Sequence, residues 1–76
     1  MTTGETVQDL IDARGLSLGD VAKRAKITAK SLWKIRNGTT AEVRSATLGR
    51  LAKALGVDPV RMRAACRASR AAAAAE

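Results

Sequence analysis

Lys30 and Lys34 stand four residues apart, in the stretch that runs from Thr28 through Ala29, Lys30, Ser31, Leu32 and Trp33 to Lys34. On a helix that spacing places both side chains on one face, one turn apart. A lysine ammonium so placed can donate to guanine O6 or N7, or neutralise a phosphate. Thr28, Ala29 and Ser31 are compact, as the leading end of a helix must be to enter a major groove. Trp33, the one aromatic residue, adjoins Leu32 and therefore cannot share its face. Three roles stay open for it: contact with thymine methyls or the DNA backbone, packing over the helix edge, or a protein interface.

Other chemistries find little material. The chain has no histidine and one cysteine, Cys66, so Ser-His and Cys-His nucleophiles, zinc-finger spacings and an internal disulfide are excluded. Asp9, Asp12, Asp20, Glu42 and Asp58 sit where helix caps or solvated faces account for them, and the glycines never cluster into a phosphate-cradling loop. The expectation is a non-enzyme without metal or cofactor. Fourteen Lys and Arg against seven Asp and Glu leave a net charge of +7, and the sequence pI is about 10.9. That balance calls for a polyanionic partner. Seventy-six residues, 46% of them hydrophobic, suffice for one small core and leave no room for a second sizeable domain. No stretch is long and apolar enough to span a membrane. The start, MTTGETVQDL, has neither a basic region nor an apolar core of a signal peptide, which makes a cytoplasmic location the expectation.

The elements that must position the two lysines follow from apolar spacing and caps. Val7, Leu10 and Ile11 recur at helical spacing over roughly residues 5 to 14, up to Arg14-Gly15. Ser17 with Asp20 makes a capping-box-like start for a short second helix lined by Val21, Ala22 and Ala25. After a turn at Lys26 and Ile27, Thr28 caps a third helix from Ala29 to Arg36 or Asn37. Its inward residues are Leu32 and Ile35, and Asn37-Gly38 stops it. Thr39 to Arg44 reads as a loop. Ser45 is placed to cap a fourth helix, Ala46 to Leu55, with Leu48, Leu51, Ala52 and Leu55 inward and Gly56 at its end. Val57-Asp58-Pro59 then starts a fifth helix, anchored by Val60 and Met62 and carrying Arg61, Arg63, Arg67 and Arg70 among alanines. The alanine run from 71 to 75 either continues that helix or frays.

Two short helices joined by a tight turn, followed by support helices, form a helix-turn-helix arrangement. The stretches GLSLGDVAKRAKITAKSLWKIRNG (15 to 38) and SATLGRLAKALGVDPVRM (45 to 62) resemble the Cro and phage-repressor type of helix-turn-helix family, also called the xenobiotic-response-element type. The resemblance implies an all-α, compact, five-helix lambda-repressor-like domain that binds double-stranded DNA. It makes Ala29, Lys30, Ser31, Trp33 and Lys34 the candidates for base contact. The phosphate candidates are Ser17, Lys23, Lys26, Thr28, Arg36, Asn37, Thr39, Thr40 and Arg44, with Arg24 a further cation on the second helix. Leu18 replaces a frequent glutamine, Lys26 replaces the turn glycine, and Arg36 replaces a frequent acid. The loop from Gly38 to Leu48 is about one residue longer than usual.

Three segments are expected: a flexible N-terminus at 1–5, a DNA-binding domain at 6–66 with its motif at about 17–37, and a basic, alanine-rich extension at 67–76. One domain of this size covers about one half-site, so a homodimer is expected, at least on DNA. Val60, Met62 and Cys66 on the last helix are its candidate contacts, or those of another protein. Within this reading the protein is a transcriptional repressor acting on an operator. The alternatives are an antitoxin or accessory partner of another protein, and a module used for protein interaction, to which Leu18 and Trp33 point.

Overall fold

The computed structural model describes residues 4–39 and 43–75, and among them finds five helices and no strand. The helices are α1 (Val7–Ala13), α2 (Leu18–Ala25), α3 (Ala29–Arg36), α4 (Ser45–Leu55) and α5 (Pro59–Ala75). Each short helix starts on local chemistry. Thr6 accepts from the Asp9 backbone N–H while the Asp9 carboxylate accepts from Thr6, and Ser17 and Asp20 repeat that capping box. The Ser17 hydroxyl and backbone N–H hold the Asp20 carboxyl below its ordinary range. This cap is therefore complete above the ordinary carboxylate range and weakens as pH falls through the depressed value.

Helices α1 to α4 also end alike. Gly15, Lys26, Gly38 and Gly56 all take positive φ, and in each case the next residue's N–H reaches back to the preceding turn, as Ile27 does to Ala22 at 3.0 Å and Val57 to Ala52 at 2.9 Å. This is the Schellman closure, in which an apolar residue usually follows the left-handed one. Leu16, Ile27 and Val57 meet that rule and pack against the core. After Gly38 comes Thr39, whose hydroxyl donates to the Lys34 carbonyl at 3.1 Å.

The core joins Val7, Leu10 and Ile11 of α1 to Val21, Ala22 and Ala25 of α2, Leu32 and Ile35 of α3, and Leu48, Leu51, Ala52 and Leu55 of α4. α2 packs chiefly on α4, and α5 packs on α4, α1 and α3. Arg14 adds a polar tie, donating through Nε to the Leu55 carbonyl and through Nη1 to the Leu10 carbonyl at 3.1 Å. It thereby serves a carbonyl at the end of α4 that the helix itself leaves unpaired.

Two expectations are corrected. Ser45 does not cap α4. Arg44 is the extended residue before it, and its carbonyl already accepts from the Leu48 N–H at 2.8 Å, so the helix begins one residue earlier than the serine suggested. Met62 and Cys66 are core residues, 0% and 8% exposed, whereas Val60 is 80% exposed. Of the three candidates for a partner surface, Val60 alone is on the surface. Burial also pushes the Cys66 thiol up, which disfavours the nucleophilic thiolate.

Beyond Cys66, α5 runs unbroken to Ala75, and Ala68 and Ser69 are buried. Ser69 Oγ accepts from the Val7 N–H at 3.0 Å, so the last helix satisfies a donor that the first turn of α1 cannot satisfy itself. Ser69→Ala is expected to lower stability by about 1–3 kcal/mol by stranding that buried donor, measured by urea unfolding against an Ala73→Ser control on the exposed face. Of the stretch expected to be flexible, residues 1–3 lie outside the described residues. Glu5 is held by Arg61, which donates through both Nε and Nη2 at 2.8 Å.

Candidate nucleic-acid interface

α3 has eight residues, too few to persist as a helix on its own. Tertiary burial holds it. Leu32 and Ile35 are 0% and 6% exposed, and at about 1.5–3 kcal/mol for each fully buried aliphatic side chain they anchor one face firmly. The opposite face is left to solvent: Ala29, Lys30, Ser31, Trp33 and Lys34 are all exposed. Trp33, at 48%, is therefore not a core residue.

The leading end of α3 is built by Thr28. Its Oγ1 accepts from the Ser31 N–H at 3.0 Å and donates to the Ser31 hydroxyl at 2.8 Å, which fixes Ser31 beside the cap. α1 and α2 each carry an acid in their first turn, Asp9 and Asp20, and α3 carries none. The positive end of its backbone dipole is not neutralised from within, which suits an approaching anion. From Val21 to Ala41 the chain holds Lys23, Arg24, Lys26, Lys30, Lys34 and Arg36 and no carboxylate. Among the described residues the one ion pair is Arg61 with Glu5, so no described acid offsets these cations by direct pairing.

The turn before α3 keeps its shape without glycine. Lys26 stands at φ 58, ψ 42, a left-handed conformation costing roughly 1–2 kcal/mol for a residue with a Cβ, and its side chain is exposed. Lys26→Gly is therefore expected to act in two opposite directions. It raises stability by about 1 kcal/mol by relieving the backbone, as read by urea unfolding, and it lowers duplex affinity by removing a cation at the turn, as read by anisotropy titration.

The other candidates are spread more widely. Ser17, Lys23, Arg24, Thr28 and Thr39 are exposed, and Arg36 and Asn37 are half-buried. Arg36 is already engaged, donating to Gln8 Oε1 of α1 at 3.0 Å. Gln8 in turn donates to Asp12 at 2.7 Å, so this arginine ties α3 to α1 in place of the acid frequent at that position. Leu18 is half-buried against the core and contributes apolar packing where a glutamine would offer an amide. Thr40 lies outside the described residues. Arg44 is exposed and shares a groove with α5. Sequence reasoning overlooked the Thr6 capping box, which Thr6 and Asp9 three residues apart would have signalled. It also overlooked Ser69, for which no local signal exists.

The sequence model of the helix-turn-helix domain family matches residues 4–65. The chain belongs to the helix-turn-helix domain family. The match takes in α1 to α4 and the first part of α5, so the helix-turn-helix pair α2 and α3 and its supporting helices lie inside it, and α5 continues ten residues further. A comparison with curated proteins matches none of them. The family assignment itself suggests DNA binding, and no described helix is long and apolar enough to cross a membrane.

Proposed function

We propose that this helix-turn-helix protein binds double-stranded DNA sequence-specifically by inserting α3 in the major groove, and that it represses transcription by occupying an operator. The observation that carries the reading is the division of α3: Leu32 and Ile35 seated in the core, and Lys30, Ser31, Trp33 and Lys34 presented together to solvent. Lys30 and Lys34 act at base edges, with Ala29 and Ser31 small enough to let the helix end approach and Trp33 set against thymine methyls or sugars. Ser17, Lys23, Lys26, Thr28, Thr39 and Arg44 hold backbone phosphates. Thr40 and Asn37 are assigned to the same backbone track on sequence grounds. Arg36, tied to Gln8, contributes with the donors left on its fork.

A domain that covers about one half-site gains specificity by pairing. Homodimer formation on DNA is part of the proposal, with the exposed Val60 in the first turn of α5 as its candidate contact. A second reading, an accessory or antitoxin protein whose last helix holds another protein, draws on the same exposed Val60 and on Trp33.

Selection from a randomised duplex library, followed by titration of the enriched site at two salt concentrations, tests the proposal. An enriched palindrome whose half-sites lie about one helical turn apart, bound far above random duplex, is the expected result. Weak binding governed wholly by salt, with no enriched sequence, overturns it and leaves the protein-interaction reading.

A further inference from the structure

The start of α4 and the outer side of α5 bring together a second group of cations. An open cavity of about 690 Å³ lies between them, walled by Arg44 and Ser45 on one side and by Arg63, Arg67 and Arg70 on the other, with Cys66 on the α5 wall. The three arginines of α5 recur at i, i+4 and i+7, so they share a face for about 10 Å of helix. That face is held in place because the neighbouring one is buried at Met62, Ala65 and Ser69. No carboxylate lines the cavity among the described residues, and the ion pair of α5 uses Arg61, which is not part of the wall. Four arginines thus line one groove, and no described acid lines it with them to relieve their mutual repulsion. A bound polyanion relieves it.

Two further features fit an anion. Arg44 makes no side-chain cap to α4 and the first turn of that helix has no acid, so its positive end opens on the groove beside the Ser45 hydroxyl. The α5 wall is also braced at its far end, because Gly38, the residue that closes the α3 end, lies directly against the backbone of Ser69 and Arg70.

We propose that this groove binds phosphate groups, two or more at a time, and that it takes them from the backbone of the same duplex, beyond the stretch that α3 contacts. Guanidinium forks match phosphate oxygens in pairs, and a row 10 Å long suits a chain of phosphates better than a lone ion. Free polyphosphate offers the same chemistry, and the experiment separates the two sources. The duplex assignment rests on the reading of α3 as the groove-inserting helix. Phosphate binding by the groove does not.

The test compares Arg63→Gln with Arg67→Gln in one protein against a control, Arg50→Gln with Lys53→Gln, which removes the same charge from exposed positions outside the groove. Circular dichroism and thermal melts establish that both fold. For the duplex source, the slope of log affinity against log salt on a duplex with long flanks is expected to shrink by about 2 in the groove variant, at roughly 0.9 per phosphate, and by less than half of that in the control, with the selected sequence unchanged. For the free source, calorimetric titration with inorganic tripolyphosphate shows saturable binding that the groove variant alone loses, while the salt slope does not differ from that of the control. Equal behaviour of groove variant and control in both arms overturns the proposal. If no duplex sequence is selected at all, the reading of α3 fails, and the same comparison on random duplex and tripolyphosphate still decides the groove.

Discussion

Lys30→Ala together with Lys34→Ala is expected to weaken binding to the selected duplex about a hundredfold or more while leaving the fold intact. A side-chain contact to a base edge discriminates by about 1–3 kcal/mol, so losing two at even the lower part of that range, about 1.4 kcal/mol each, removes two decades of affinity. Both side chains are exposed, and Leu32 and Ile35, which hold α3, are untouched. Surface replacements of this kind stay within about 0.5 kcal/mol of the parent in stability. Fluorescence anisotropy on the selected duplex and on random duplex separates the roles of the two lysines. A loss concentrated on the selected site marks base contact, whereas an equal loss on both, with a salt slope reduced by about 1 for each lysine, marks phosphate contact. Unchanged affinity on both duplexes removes α3 from the interface.

Gly38→Ala is expected to be the most damaging small substitution in the protein. Gly38 has φ +73, and a Cβ there would lie 2.5 Å from the Ser69 carbonyl oxygen and 2.9 Å from the Arg70 Cα. The left-handed backbone costs roughly 1–2 kcal/mol, and forcing backbone apart in a packed interface adds about 1–3 kcal/mol. The sum, about 2–5 kcal/mol, is a large part of what a domain of this size possesses at about 0.05–0.15 kcal/mol per residue, and it displaces the melting temperature by more than about 10 °C. Gly56→Ala is the internal comparison. Its φ is +69 but nothing lies within 4 Å of its added Cβ, so it carries the backbone cost alone, about 1 kcal/mol. Thermal melts in which the two variants lose equal stability would mean that α5 does not press on the end of α3.

The contrast between those glycines also marks how far reading along the chain reaches. The bounds of α2 and α3, the caps at Ser17, Thr28 and Asp58, the stops at Gly38 and Gly56, and the inward pairs such as Leu32 with Ile35 all depend on residues within one or two turns of each other. Capping bonds close over three residues and a helical face repeats every 3.6, so these features stand in the order of the amino acids. The placement of Ser45 failed because a cap depends on which carbonyl accepts first, and Arg44 does so with an extended backbone and no side-chain signal.

Legibility of the site follows the same division. Lys30 and Lys34 on an exposed face of α3 were readable from their offset against Leu32 and Ile35. The engagement of Arg36 with Gln8 was not, because 28 residues separate them. Nor was the exposure of Val60, read along the chain as an anchor like Met62, since an alanine-rich helix offers several faces that could turn inward and only the helices beside it select one. The groove of Arg44 with Arg63, Arg67 and Arg70, the cap that Ser69 supplies to Val7 across 62 positions, and the pressure of α5 on Gly38 arise only when the chain has closed on itself. Helix bounds and the charged face of α3 are written locally, in caps and the helical repeat, although burial is what keeps so short a helix folded. Which residues meet across helices is settled by how five apolar faces share one small core, and that packing couples positions no short-range rule connects.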